Sequence, residues 1–114
     1  MEYKEPTIVG NQLLLDTIVK DELGIHARPS ALIVGICLSH PQEIYLARKD
    51  SKELIDCKSV LNVLSAGIEC NSAIRFYVEF QKNKNEKEAR EICNKLKEIT
   101  SYSLEEIAKR AKEK

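Results

Sequence analysis

The segment Gly24–Pro29 combines residue types that suit phosphoryl chemistry. An exposed imidazole has a pKa of about 6.5, so much of His26 is neutral near pH 7 and can attack a phosphoryl donor without a separate base. Arg28 brings a permanent cation whose forked donors match phosphate oxygens. Pro29 suits the first turn of a helix, and a helix N-terminus favours a bound phosphate. The segment predicts a transient phosphohistidine at His26; the alternative is a solvated turn without chemistry.

A second segment, Cys57–Ile68, predicts a short helix over Val60–Ala66. Ser59 is a favoured N-cap residue, and Gly67 is a favoured C-terminal stop.

The residues of this short helix divide into two faces. At about 100° per residue, Val60, Leu61 and Leu64 share one face, while Val63 and Ala66 lie opposite with the capping serine. Only one face can be buried on a sheet. We assign Val63 and Ala66 to the core, which leaves the other three residues as an exposed apolar patch. Such patches often mark a docking surface.

The segments Gly24–Ser30 and Cys57–Ile68 together resemble the histidine-containing phosphocarrier family, HPr, of the bacterial phosphoenolpyruvate-dependent sugar phosphotransferase system. The resemblance covers about residues 13–99 and implies an open-faced β-sandwich. It also implies that His26 accepts a phosphoryl group from enzyme I and passes it to an enzyme IIA, while Arg28 stabilises the phosphate. The departures are a longer turn over residues 49–52, no glycine within residues 70–72, and extended chain ends.

The same resemblance assigns roles outside the histidine segment. Ser59 falls where many HPr proteins carry a regulatory serine, the target of an HPr kinase/phosphorylase, and a capping role is compatible with this one. The patch Val60, Leu61 and Leu64 would meet the partner proteins.

Hydrophobic periodicity places these segments in an α+β fold. It predicts a four-stranded antiparallel sheet with helices packed on one face, plus an appended C-terminal helix. The division is an N-terminal extension over 1–12, the phosphocarrier domain over 13–99 and a helical extension over 100–114. The predicted elements are strands over 13–20, 43–48, 53–58 and 73–80, helices over 27–38 and 60–66, a helix capped by Asn85 with Glu88 completing a capping box, and a last helix from Ser103.

Composition excludes several classes of function. Lys+Arg and Asp+Glu both number 18 and aromatic residues make up 5%, so neither a basic excess nor a base-stacking surface suggests nucleic-acid binding. The start of the chain lacks the apolar run of a signal peptide, and the longest apolar stretch is too short to span a bilayer. The four cysteines lack zinc-site spacing, and we expect them to be buried thiols. We predict a cytoplasmic monomer without metal, cofactor or membrane contact.

Three functions remain open from the sequence. The chain could be a phosphocarrier of sugar uptake, a regulatory signalling module of the same fold, or an interaction module without phosphoryl chemistry. The intact segment Gly24–Pro29 counts against the third, because binding alone does not need that histidine. In none of them is the chain an enzyme by itself. His40, in a turn that ends a helix, is expected to be an ordinary surface residue.

Overall fold

The computed structural model describes residues 5–81 and 84–101. One antiparallel sheet has the strand order β1-β2-β5-β3-β4. Helix α3 packs against β2 and β5, α1 packs against α3, and α2 packs against α1. The elements are β1 Thr7–Val9, β2 Gln12–Ile18, α1 Ala27–Leu38, β3 Ile44–Arg48, β4 Ile55–Asp56, α2 Val60–Ser65, β5 Ala73–Glu79 and α3 Glu86–Ser101. The predicted fold class is confirmed.

Strict alternation in the two central strands creates the buried face of the sheet. Leu13 and Leu15 of β2 and Phe76 of β5 are almost fully buried, whereas their sequence neighbours are partly exposed. Ile33 of α1 and Leu96 of α3 cover this face with no exposed surface. The period of two in the strands and the apolar stripes of the helices therefore meet in one core.

The opposite face of the sheet carries polar side chains. Arg75 Nε and Nη2 donate to the two carboxylate oxygens of Asp16 at 2.7 and 3.0 Å, and Lys49 Nζ lies 3.2 Å from the same carboxylate. The hydrogen bond from Arg75 is the main reason that the pKa of Asp16 is lowered. This network joins β2 and β5 to Lys49, the residue that follows β3, on the solvent side.

The sheet has one more strand than the four predicted. Thr7 and Val9 of β1 pair with Leu14 and Gln12 of β2, in a segment expected to be a loose lead-in. All three residues of β1 are exposed, so the strand lacks the alternation that signals a half-buried strand. Strand β4 is shorter than predicted, because only Ile55 and Asp56 pair with β3. The helix predicted from Ser103 lies outside the described residues.

Two expectations about polar residues near α3 are wrong. Glu88 was expected to complete a capping box, and His40 was expected to be an ordinary surface residue. The Glu88 carboxylate does not complete a capping box; it accepts from Gln42 Nε2 at 2.6 Å and lies 2.8 Å from His40 Nδ1. The hydrogen bonds from Gln42 and then His40 lower the pKa of Glu88. Only 13% of the His40 side chain is exposed, so His40 is a link between the end of α1 and α3. Its partner lies 48 residues away in sequence, beyond the reach of a local pattern.

The four cysteines are free thiols, and Cys37, Cys57 and Cys93 are buried as expected, whereas Cys70 is only partly buried, so the expectation is wrong for that residue. Burial raises the pKa of Cys93 to about 12, and a hydrogen bond with Cys37 together with burial raises that of Cys57. Within residues 5–81 and 84–101, no group of three or more His, Cys, Asp or Glu side chains could hold a metal ion. No helix in the same residues has the length and apolarity to cross a membrane.

Candidate functional site

A tight turn after β2 carries the chain to the N-terminus of α1. The amide of Gly24 donates to the Asp21 carbonyl, and the amide of Leu23 donates to Asp21 Oδ1, each at 2.9 Å. Gly24 has a φ of +70°, and a Cβ at this position would lie 2.3 Å from the carbonyl oxygen of Ile68. Only glycine meets both conditions without displacing the backbone.

Ile25, the next residue, connects this turn to the segment that follows α2. Ile25 is buried, and its amide donates to the Ile68 carbonyl at 2.9 Å. The position of the following residue, His26, is therefore set by backbone contacts on both sides of the turn.

His26 is the N-cap residue of α1, with extended backbone and no capping hydrogen bond from its side chain. Its carbonyl accepts from the Ser30 amide, which begins the helix. The side chain is 28% exposed, but its two ring nitrogens differ. Nε2 has no solvent-accessible surface and lies 3.2 Å from Asp21 Oδ1. Because the side chain is partly exposed while Nε2 is enclosed, we infer that Nδ1 is the ring nitrogen left for a reactant.

The N-terminus of α1 has no protein anion in its first turn. No acidic residue lies there, and no side chain caps the helix. Arg28 is exposed, and it has no hydrogen bond or ion pair within the described part of the chain. Unsatisfied amides, the helix dipole and a free guanidinium all favour an anion beside His26. The structure thus places the predicted pair His26 and Arg28 at one helix terminus.

Helix α2 has the orientation expected from its sequence. Ser59 Oγ accepts from the Asn62 amide at 3.2 Å, which makes Ser59 the N-cap. Val63 is fully buried.

The three residues of the predicted patch are exposed. The exposed fractions are 41% for Val60, 67% for Leu61 and 39% for Leu64. Ala66, assigned to the core with Val63, is partly buried against it. The facing of the helix is confirmed, and the docking role of the patch stays a prediction.

Sequence reasoning missed two residues of the site. Asp21, which faces the His26 ring, lies in a turn with Gly24, and aspartate at the first position with glycine at the fourth is a known turn signature. That signature could have located it. Leu23, in the same turn, contributes its backbone amide, which donates to Asp21 Oδ1.

Comparison with known proteins agrees with this geometry. The family model described as "PTS HPr component phosphorylation site" matches residues 15–100. The phosphocarrier protein HPr of Mycoplasma pneumoniae is 35% identical over 65 residues, which are 57% of this chain and 73% of that protein. A multiphosphoryl transfer protein of Haemophilus influenzae is 24% identical over 74 residues, which are 64% of this chain but 15% of that protein.

The fold agrees as well. The crystal structure of HPr from Bacillus anthracis superimposes with a TM-score of 0.64 at 22% identity, over 79% of this chain and 98% of that one. Because the family model covers most of the chain and the relatives include phosphocarriers, this chain belongs to the HPr family of phosphotransferase-system phosphocarriers.

Proposed function

We propose that the chain carries a phosphoryl group on Nδ1 of His26, which it receives from phosphorylated enzyme I and passes to an enzyme IIA. The observation that supports this proposal best is the position of His26 at the N-terminus of α1. Nε2 is enclosed, which leaves Nδ1 for a reactant, and Arg28 in the first turn has no ion pair within the described residues.

The chemistry needs little from the carrier itself. The lone pair of Nδ1 forms a bond to phosphorus, while the bond between phosphorus and the donor breaks and its electron pair leaves with the donor. The incoming oxygens can accept from the free first-turn amides of Ala27 and Arg28 and from the guanidinium, since Pro29 has no N–H. In the second step a nucleophile of enzyme IIA forms a bond to phosphorus, while the bond between phosphorus and Nδ1 breaks and its electron pair returns to Nδ1. Because backbone contacts fix the position of His26, both steps depend mainly on how the partner orients its reacting atom towards Nδ1.

The exposed patch on α2 is the proposed docking surface for these partners. Val60, Leu61 and Leu64 are large apolar side chains with solvent access. Helix α2 packs against α1, whose first residue follows His26, so docking there would bring a partner towards the phosphorylation site.

Ser59 is the proposed regulatory site, modified by an HPr kinase/phosphorylase. It stands at the start of α2 beside the patch, and its hydroxyl group caps the helix from a solvent-facing position. A phosphate at a helix N-terminus is compatible with the helix, so the added charge would act on the partner surface. Ser59→Asp should therefore weaken binding of enzyme I while leaving helical circular dichroism unchanged. Loss of the helical signal would contradict this.

Incubation with enzyme I and labelled phosphoenolpyruvate tests the proposed function. The label should be lost in acid and retained in alkali, as expected of phosphohistidine. His26→Ala should abolish labelling, whereas the matched control His40→Ala should be labelled at the wild-type rate, because the structural link to Glu88 is remote from the reacting nitrogen.

Onward transfer separates this function from a purely regulatory module. Addition of an enzyme IIA should discharge the phosphorylated wild-type protein. Retained labelling of His26→Ala would refute phosphorylation at His26, and a stable label in the presence of enzyme IIA would refute the carrier role.

A further inference from the structure

We propose that Asp21 is a positioning residue for phosphoryl transfer: its carboxylate holds the Nε2 side of the His26 ring, directs the Nδ1 lone pair outward and stabilises the charge that develops on the ring. This inference rests on the proposed function of His26. It assigns a role to the residue that the sequence pattern alone did not reveal.

Asp21 is the hydrogen-bond partner that the geometry around His26 Nε2 offers. Nε2 has no accessible surface, so water does not reach it, and Asp21 Oδ1 lies 3.2 Å away. In the resting protein the Nε2–H bond does not point closely enough at Asp21 Oδ1 to form a hydrogen bond. A small rotation of the ring brings the two groups into line, and such contacts commonly tighten only when the reactant is bound.

The carboxylate is itself held in place. Its Oδ1 atom accepts from the Leu23 amide at 2.9 Å, and the Asp21 carbonyl accepts from Gly24 at the other end of the turn. Only 12% of the Asp21 side chain is exposed, so the charge faces the ring across a space largely shielded from solvent. The same backbone turn that delivers His26 to α1 therefore also aims an anion at it.

The role of this anion follows from the electron balance of the transfer. Neutral imidazole with its proton on Nε2 has its lone pair on Nδ1. When Nδ1 forms the bond to phosphorus and the donor keeps the electron pair of the broken bond, the ring gains positive charge and retains the Nε2 proton. A carboxylate facing that proton stabilises the cationic ring and keeps the correct tautomer, as an aspartate does for histidine in hydrolase triads.

The experiment compares Asp21→Asn with Glu22→Gln in the full chain. Both variants remove one negative charge from neighbouring residues, but Glu22 is exposed and makes no hydrogen bond or ion pair within the described residues. Asp21→Asn keeps an oxygen for the Leu23 amide and replaces a charge-assisted contact by a neutral one. Enzyme I-dependent phosphorylation should slow about tenfold in this variant and stay at the wild-type rate in the control.

Nuclear magnetic resonance of the unphosphorylated protein supplies a readout that a merely structural role would not change. The nitrogen-15 shifts of the His26 ring report which nitrogen carries the proton, and the carboxylate 3.2 Å from Nε2 should keep the proton there. The share of this tautomer should fall in Asp21→Asn and stay unchanged in Glu22→Gln. If Asp21→Asn does not fold, Asp21→Ser serves as the second variant, since it also retains an oxygen.

Equal transfer rates in wild type and Asp21→Asn would overturn the proposal, as would equal losses in both variants. An unchanged share of the Nε2-protonated tautomer in Asp21→Asn would also overturn it, whatever the transfer rates. If enzyme I fails to label even the wild-type protein, the proposed function fails, while the resonance comparison still decides the contact between Asp21 and His26.

Discussion

Replacement of Gly24 by alanine tests how firmly the site is anchored. At a φ of +70° the left-handed backbone conformation of an alanine would cost about 1–2 kcal/mol of folding stability. The new Cβ would also lie 2.3 Å from the Ile68 carbonyl oxygen and 2.8 Å from the Cα of Glu69, and both are backbone atoms. Relief of that collision requires a shift of the turn, which breaks the hydrogen bond from Ile25, a further loss of about 0.5–1.5 kcal/mol. The sum is about 1.5–3.5 kcal/mol.

Gly10→Ala is the matched control for this prediction. Gly10 also has a positive φ, +60°, but an added Cβ there would meet nothing within 4 Å. Urea and thermal denaturation should show that Gly24→Ala loses about 1 kcal/mol more than Gly10→Ala, and its melting temperature should fall by on the order of 10 °C. Phosphorylation by enzyme I should slow only in Gly24→Ala, because the shifted turn carries His26. Equal stabilities of the two variants would refute the anchoring argument.

Three further changes probe the phosphate contact, the docking surface and the sheet. Arg28→Ala should slow phosphoryl transfer by about one to two decades without preventing it, since a charge-assisted contact contributes about 1.5–3 kcal/mol, and lysine should rescue only part; a wild-type rate would remove Arg28 from the site. Leu61→Glu should impair enzyme I binding at little cost in stability, whereas Val63→Glu should lower the free energy of unfolding by about 4 kcal/mol or more, because it buries an unpaired charge. Melting curves in the opposite order would contradict the facing of α2. Asp16→Asn should be less stable than wild type near neutral pH, because Arg75 lowers the folded-state pKa of Asp16 and its stabilisation is present above the unfolded value of about 3.9. That difference should fade as pH falls through the lowered pKa, and a difference that persists in strong acid would contradict the electrostatic cause.

Local patterns were sufficient wherever the buried face of an element shows in its own sequence. Helix α1 spans Ala27–Leu38 as predicted, since a proline in its first turn and a polar stop after Leu38 mark its ends. Val63 and Leu61 were assigned to opposite sides of α2 from helix geometry alone, and their burial agrees.

Features that depend on distant contacts could not be read in this way. Strand β1 buries none of its side chains, so only its pairing with β2 reveals it. His40 finds its acidic partner across the fold, 48 residues away in sequence. In each case the missing information was a contact between elements rather than a property of one element.

The hydrogen bond between Ile25 and Ile68 links the two parts of the proposed function. Ile25 directly precedes His26, the proposed phosphorylation site, and Ile68 directly follows Gly67, which lies just after the C-cap of α2. Helix α2 and His26 are therefore joined through one short backbone contact, and their surroundings share the core through Val63 and Ile25. A partner that docks on the exposed face of α2 meets His26 at a fixed position, with little reorganisation left for the encounter. Phosphoryl transfer between proteins depends on this positioning, because the carrier contributes one nucleophilic atom and the partner supplies most of the remaining site.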